Sequence, residues 1–365
     1  MIGAVRRAWE NFRGGGEAAV TVPPMDGALR PNRLLEEAPA AVHVPAPDSI
    51  VTDGANVWFA SGARVMRLDG AKGAAESVRE FDSAVSALAV SPAGVIAAGL
   101  DDGRIAVVGG AHDGMTVTQL GSRASSCPTA LLFASETELI VAQGSATRKP
   151  SEWKHDVMMR GATGSVWRIG LPGGEATLLA DRMSWPYGLA QGPDDTLAVS
   201  ESWKHRVVLI DAGGGMRTVL DDLPGYPARL SPASDGGYWL AIFAPRNQII
   251  EFIQREPEFL RRMMAEVDPA YWAAPALQPS STFLEPLQGG AQKHLGMLKP
   301  WAPTRSYGLV AHLDRRFRPT HSYHSRADGL RHGATACAEV DGTLLVACKG
   351  GDVVAVIGTP NAGAA

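Results

Sequence analysis

Apolar and polar residues alternate along short stretches of this chain, with Gly-, Asp- and Pro-rich turns between them, and a period of two predicts β-strands rather than helices. The stretches fall into groups of four. The cleanest group is WPYGLAQGPDDTLAVSESWKHRVVLIDAGGGMRTVLDDL, and its plan recurs six times: an opening near Pro, then a second run after a Gly, Asp or Asn turn. The first group starts at PDSIVTDGANVWFASGARVMRLDG, with Asp53-Gly54 as a tight hairpin turn, and the second at SALAVSPAGVIAAGLDDGRIAVVGG, with Asp102-Gly103 in the same role. The third, CPTALLFASETELIVAQGS, breaks into a polar stretch around Ser145 to Gly161, expected to loop over a pocket, and resumes at TGSVWRIGLPGGEATLLAD. The fifth, YPARLSPASDGGYWLAIF, is interrupted before SYGLVAHLDRRFRPTHSYH, and the sixth, GATACAEVDGTLLVACKGGDVVAVIG, supplies only three strands.

Six such units predict an all-β, six-bladed β-propeller, with a seven-bladed ring or a two-sheet sandwich as alternatives. A ring must close or leave sheet edges exposed, and residues around Ala41 to Ala46 fit as the strand that completes the last blade. The expected division is an N-terminal arm over 1–39, a propeller over 40–358 interrupted by 243–304, and a tail over 359–365. Within the interruption, Pro257 suits a first helical position, and Leu260, Met263, Met264 and Val267 follow at helical spacing, which predicts an amphipathic helix packed on its own domain. The Pro- and Gln-rich stretch after it reads as an extended loop.

Composition agrees: 41 Gly and 25 Pro among 365 residues supply the turns that many short strands need. The formal net charge of −4, without any Lys/Arg-rich run, argues against a nucleic-acid partner. No uncharged apolar stretch is long enough for a membrane span, and charges interrupt MIGAVRRAWENFRGGG where a signal peptide needs an apolar core, so a cytoplasmic protein is expected. Cys127, Cys337 and Cys348 are an odd set that fits buried, reduced thiols. No CxxC, HExxH, P-loop or dinucleotide fingerprint stands in its required context, so no cofactor is expected.

Six stretches carry a resemblance to a known family: PNRLLEEA, PDSIVTDG, RGATGSVWRI, WPYGLAQGPDDTLAVSESWKHRVVLID, LPGYPARLSPASDGGYWLAIF and AEVDGTLLVA, in that order, and the resemblance covers most of the chain, from about Pro31 to Ile357. In these the chain resembles the strictosidine synthase-like family. The resemblance implies a six-bladed propeller related to calcium-dependent lactonases and phosphotriesterases, with functional side chains at the starts of the innermost strands. Asp48 then stands where the metal enzymes carry Glu, Tyr187 where they carry Asn, and Ala228 and Arg229 where they carry an Asp-led pair. A hard cation needs six to eight oxygen ligands, and Arg229 would oppose it with a fixed charge, so no metal is expected. Thr335 or Ala336 takes the place of the family's catalytic Glu in blade six, which argues against strictosidine synthesis.

The residues expected at the mouth offer His332 as a base, with Asp48 and Tyr187 as further catalytic candidates and Arg229, Thr129, Trp185 and Thr335 as substrate contacts. Arg229 either clamps a substrate carboxylate or pairs with Asp48, and Tyr187 either donates to an oxyanion or plugs the channel. The run SESWKHRVV holds Ser200, Glu201, Ser202 and His205 without a nucleophile elbow, and Glu201 and His205 are expected to link blades. His312, His321 and His324 fall on the outer strands of blade five. The expected function is a metal-independent ester or lactone hydrolase acting on a small organic molecule, the alternatives being a metal-free condensing enzyme or lyase and a non-catalytic binding propeller.

Overall fold

The computed structural model describes residues 22–358 other than 72, 172–174, 280, 283, 286–292, 295–296 and 299–303, with backbone alone for 293–294 and 297–298. Six four-stranded antiparallel sheets stand around an axis. Their innermost strands are Pro47–Thr52, Val85–Val90, Pro128–Ser135, Pro186–Gln191, Gly225–Pro232 and Ala334–Val340. Each touches the next around the ring, and the sixth touches the first. The architecture is therefore the six-bladed propeller that the repeats imply.

Every sheet is wedged between two others, so both of its faces must be apolar, and one hydrophobic cluster fills each gap between blades. Phe59 and Leu68 of blade one meet Ala336, Leu345 and Val354 of blade six. Trp58, Val65, Leu88 and Ala98 fill the gap between blades one and two, and Leu131, Val141 and Trp167 pack blade three on blade two. This two-sided burial explains the near-continuous apolar runs such as Tyr238–Pro245, every residue of which is buried.

The ring closes as expected. Ala40–His43 adds to Val353–Gly358 as the outer strand of blade six, with Ala40 opposite Ala355, Val42 opposite Val354 and His43 opposite Val353. Without that strand the sixth sheet would keep an unpaired edge and part of the apolar cluster beside it would meet water. A Val42→Pro substitution, which removes an N–H from the pairing, is expected to lower Tm by several degrees and to promote association on heating; a melt followed by light scattering checks this.

Two insertions meet over one mouth of the channel. In blade three the polar stretch contains a short helix, Trp153–Met158, rather than loop alone. In blade five the expected helix spans Pro257–Glu266 and buries Leu260 and Met263, while Val267 at its end is exposed. A second helix, Gln248–Ile253, precedes it, capped by the Asn247 side chain on the Ile249 and Ile250 N–H groups. Gln254 Nε2 donates to Val157 O at 2.7 Å and Lys154 Nζ to Pro269 O at 3.0 Å, tying the two insertions together. Much of the Pro- and Gln-rich loop expected next lies outside the described residues. The three thiols are free and buried, and burial pushes Cys337 and Cys348 up to about 12.

Candidate functional site

The innermost strands share an irregularity that builds the site. Pairing with the second strand skips one or more residues near each start: between Asp48 and Val51, Val85 and Ala87, Pro128 and Ala130, Pro186 and Gly188, Pro227 and Leu230, and Ala334 and Ala336. A bulge releases a residue from the ladder and re-aims its side chain. The released positions include Ser86, Thr129, Tyr187, Arg229 and Thr335.

Asp48 is the centre of this ring. Its Oδ1 accepts from Arg229 Nη1 at 2.6 Å, from Thr335 Oγ1 at 2.8 Å and from the Ser49 N–H at 2.7 Å, and its Oδ2 accepts from Lys349 Nζ at 2.8 Å. Burial alone would raise the Asp48 pKa, but the charges of Arg229 and Lys349 and the hydrogen bonds of Lys349 and Thr335 outweigh it and hold the carboxyl well below its ordinary value. Lys349 is the reciprocal case: burial would favour the neutral amine, and the Asp48 carboxylate reverses that and raises the pKa. One carboxylate and two cations leave a net positive charge. Arg229 also donates to Ser86 O at 2.6 Å and Thr129 O at 3.1 Å, so one side chain of blade five joins blades one, two and three.

A cavity of about 220 Å³ lies over this hub. Five aromatic side chains, Trp153, Trp185, Tyr187, Trp203 and Phe243, stand in its wall. Trp185 stacks on Trp203 at 5.1 Å, Trp153 and Tyr187 meet Phe243 edge-on at 5.5 and 6.1 Å, and the Arg229 guanidinium carbon sits 4.8 Å from the Tyr187 ring centre. Trp185 holds a left-handed φ of 56°, costly for a bulky residue and maintained by this packing. Burial, then the Asp48 charge, raises the Tyr187 pKa, which keeps the phenol protonated. Asp101 and Ser151 lie at the rim, where the Ser151 N–H and hydroxyl donate to the two Asp101 oxygens at 2.7 and 2.8 Å and fasten the blade-three insertion to blade two.

Among the residues expected from the sequence, Asp48, Thr129, Trp185 and Tyr187 line the cavity. Arg229 and Thr335 lie beneath it as partners of Asp48, so the Arg229–Asp48 pairing is the alternative observed. The expectation that His332 opens on the mouth is corrected, because its side chain is buried outside the cavity lining. The Arg326 carbonyl, 2.6 Å from Nε2, can only accept, so Nε2 carries the hydrogen and Nδ1 accepts from Ser306 Oγ at 2.8 Å. Burial lowers its pKa, and the ring stays neutral with both nitrogens engaged. His332→Ala is expected to cost about 1–3 kcal/mol of stability, read from denaturant unfolding, and to leave the turnover of folded protein unchanged.

Glu201 and His205 do not pair with each other. Glu201 holds Arg206 at 2.6 Å and Lys204 at 3.1 Å within its own blade, whereas His205 Nδ1 contacts Gly225 O at 3.2 Å. His312, His321 and His324 lie in the third and fourth strands of blade five, where Ser322 and Tyr307 bond to His324 and Thr320 bonds to His312.

Lys349, Asp101, Trp153, Trp203 and Phe243 line the cavity without having been singled out from the sequence. Antiparallel pairing holds a signal for three of them. The start of each innermost strand pairs with the end of the second, as Val85 with Leu100, Pro186 with Glu201 and Ala334 with Cys348, so residues just after a second strand reach the same mouth. Asp101, Trp203 and Lys349 occupy such positions.

The calcium that the resemblance brings to mind does not fit these residues. Both Asp48 oxygens already accept from cationic groups, and Arg229 and Lys349 supply positive charge where calcium needs oxygens. Among the described residues no group of three or more His, Cys, Asp or Glu could hold a metal ion. No helix among them is long and apolar enough to cross a membrane.

No family model matches the chain. Adipocyte plasma membrane-associated protein of Salmo salar is 29% identical over 125 residues, and that of Danio rerio 27% identical over 125 residues; each match covers 30% of this chain and 30% of the relative. The matched stretch thus spans about a third of the length of these relatives, and it agrees with the resemblance to the strictosidine synthase-like family. A gluconolactonase of Xanthomonas campestris superposes with a TM-score of 0.55 over 93% of this chain and 95% of its own, at 16% identity, which shows a shared fold.

Proposed function

We propose that this strictosidine synthase-like propeller hydrolyses a small ester or lactone without a metal ion, using the Lys349 ammonium to polarise the carbonyl. The observation that carries the reading is the geometry of Lys349: one recorded hydrogen bond, to Asp48, fixes an ammonium whose other hydrogens are left for the aromatic cavity it lines. An ammonium held in place beside an aromatic wall stabilises developing oxyanion charge better than one free in water, and 32% of the Lys349 side chain stays exposed. Tyr187, kept protonated beside it, supplies a second donor. Asp48, with four donors on its oxygens, positions Arg229 and Lys349 and is a poor base.

In this reading water attacks the carbonyl carbon, the π electrons move onto the oxygen facing Lys349 and Tyr187, and the tetrahedral intermediate collapses with cleavage of the acyl C–O bond. The proton from water passes to Asp101, which lines the cavity with no ion-pair partner among the described residues, and then to the leaving alkoxide. The shared fold of the gluconolactonase is consistent with such chemistry. Free, buried thiols support a reducing, cytoplasmic setting for it.

A screen of purified protein against aryl esters and lactones, with calcium and again with chelator, tests the reading. Equal turnover in both arms is the expected result. Turnover only with calcium would overturn it, and none in either arm would favour a binding propeller, the reading that the full engagement of Asp48 supports.

A further inference from the structure

The polar groups of the cavity differ in how many hydrogens they leave for a ligand. Ser86 Oγ donates to Pro128 O at 2.7 Å, Thr129 Oγ1 to Pro186 O at 2.5 Å, and Ser151 Oγ to Asp101. No serine or threonine hydroxyl hydrogen in the lining is therefore left over. Lys349 is different, because its ammonium has three hydrogens and one recorded acceptor. The structure records no acceptor for the Tyr187 phenol hydrogen either. Lys349 and Tyr187 stand at the hub, Trp185 Nε1 is a further buried donor without a partner, and the rings of the wall are locked in stacked and edge-on contact.

From this we infer that the cavity is a site for a small, flat, apolar monocarboxylate, seated with its carboxylate on Lys349 and Tyr187 and its ring among Trp153, Trp203 and Phe243. The size agrees: a cavity of roughly 150 Å³ admits benzene, and 220 Å³ leaves room for one ring with a short polar end. The net positive hub selects an anion over a neutral ligand. Asp101, the second carboxylate of the lining, already accepts from Ser151 through both oxygens. A sugar acid or sugar lactone fits poorly, because its hydroxyl oxygens would be buried without donors.

The inference rests on the hydrolase reading in one respect only: an acid product is such a monocarboxylate, so the reaction is inhibited by its own product. Quenching of tryptophan fluorescence, with Trp153, Trp185 and Trp203 in the wall, reports binding directly. The probes are benzoate, methyl benzoate, benzylamine and gluconate, each titrated against wild type and against Lys349→Met and Tyr187→Phe.

Benzoate is expected to bind at least tenfold more tightly than each of the other three, and Lys349→Met to remove that preference while leaving methyl benzoate affinity within a factor of about two. Tyr187→Phe, nearly isosteric, is expected to weaken benzoate severalfold should the Lys349 variant fail to fold. Equal affinity for benzoate and its ester, tighter binding of benzylamine or gluconate, or unchanged benzoate affinity in both variants would overturn the inference. Benzoate binding without turnover of any ester would remove the hydrolase and leave the anion site standing; turnover without benzoate binding would do the reverse.

Discussion

Lys349→Met is expected to reduce kcat by about a hundredfold to a thousandfold, the range seen when one oxyanion donor is removed, while KM for a neutral ester changes little. The reasoning is differential. The ammonium meets a neutral carbonyl in the ground state and a developing oxyanion in the transition state, so its loss falls on kcat. Methionine keeps the length and apolar contacts of the stem, and Asp48 retains Arg229 as its counter-charge. A thermal melt beside the kinetics separates folding from chemistry: a near-native Tm with depressed kcat is the expected pair. Unchanged kcat in a folded variant would remove Lys349 from the mechanism.

Asp48→Asn is expected to destabilise the fold by about 3–5 kcal/mol, the cost of leaving buried charge without its partner. The Asp48 and Arg229 side chains are only 4% and 8% exposed, so solvent does little to screen them. Removing the carboxylate leaves the Arg229 and Lys349 charges without the counter-ion they share. The effect depends on pH with a definite sign. The folded-state pKa of Asp48 is depressed, so its contribution is present above the unfolded value of about 3.9 and is lost as pH falls toward the folded value. Urea unfolding of both proteins from pH 7 to pH 3 should show a gap that is constant near neutrality and narrows below about pH 4. A gap independent of pH would mean that the carboxylate contributes by packing alone.

The fold was legible because one pattern recurs from blade to blade: short runs in groups of four, a start near Pro and Gly or Asp turns. The incomplete sixth group even pointed to its closing strand, since an unpaired edge needs cover. The site was legible in part. Asp48, Thr129, Tyr187, Arg229 and Thr335 sit near the starts of innermost strands, and reading those starts as pocket positions reaches them. His332 misled because it lies two residues before Ala334, where its strand begins, and burial beside Ser306 could not be told from exposure at a mouth.

Lys349 went unseen because it follows the second strand of its blade instead of opening the innermost one, and sits in a Gly-rich turn that reads as a connection. Its role comes from strand pairing, which brings the end of Thr343–Cys348 against the start of Ala334–Val340. Trp153 could not be placed because it sits on an insertion whose path is set by contacts with blade five. Phe243 read only as another apolar residue of a buried strand.

Calorimetric titration of the purified protein with calcium, at neutral pH after treatment with chelator, tests most directly the claim that Arg229 and Lys349 stand where a cation would. Heat no greater than dilution, up to millimolar calcium, is the expected result. Stoichiometric uptake at micromolar concentration would contradict it and return the site to metal chemistry.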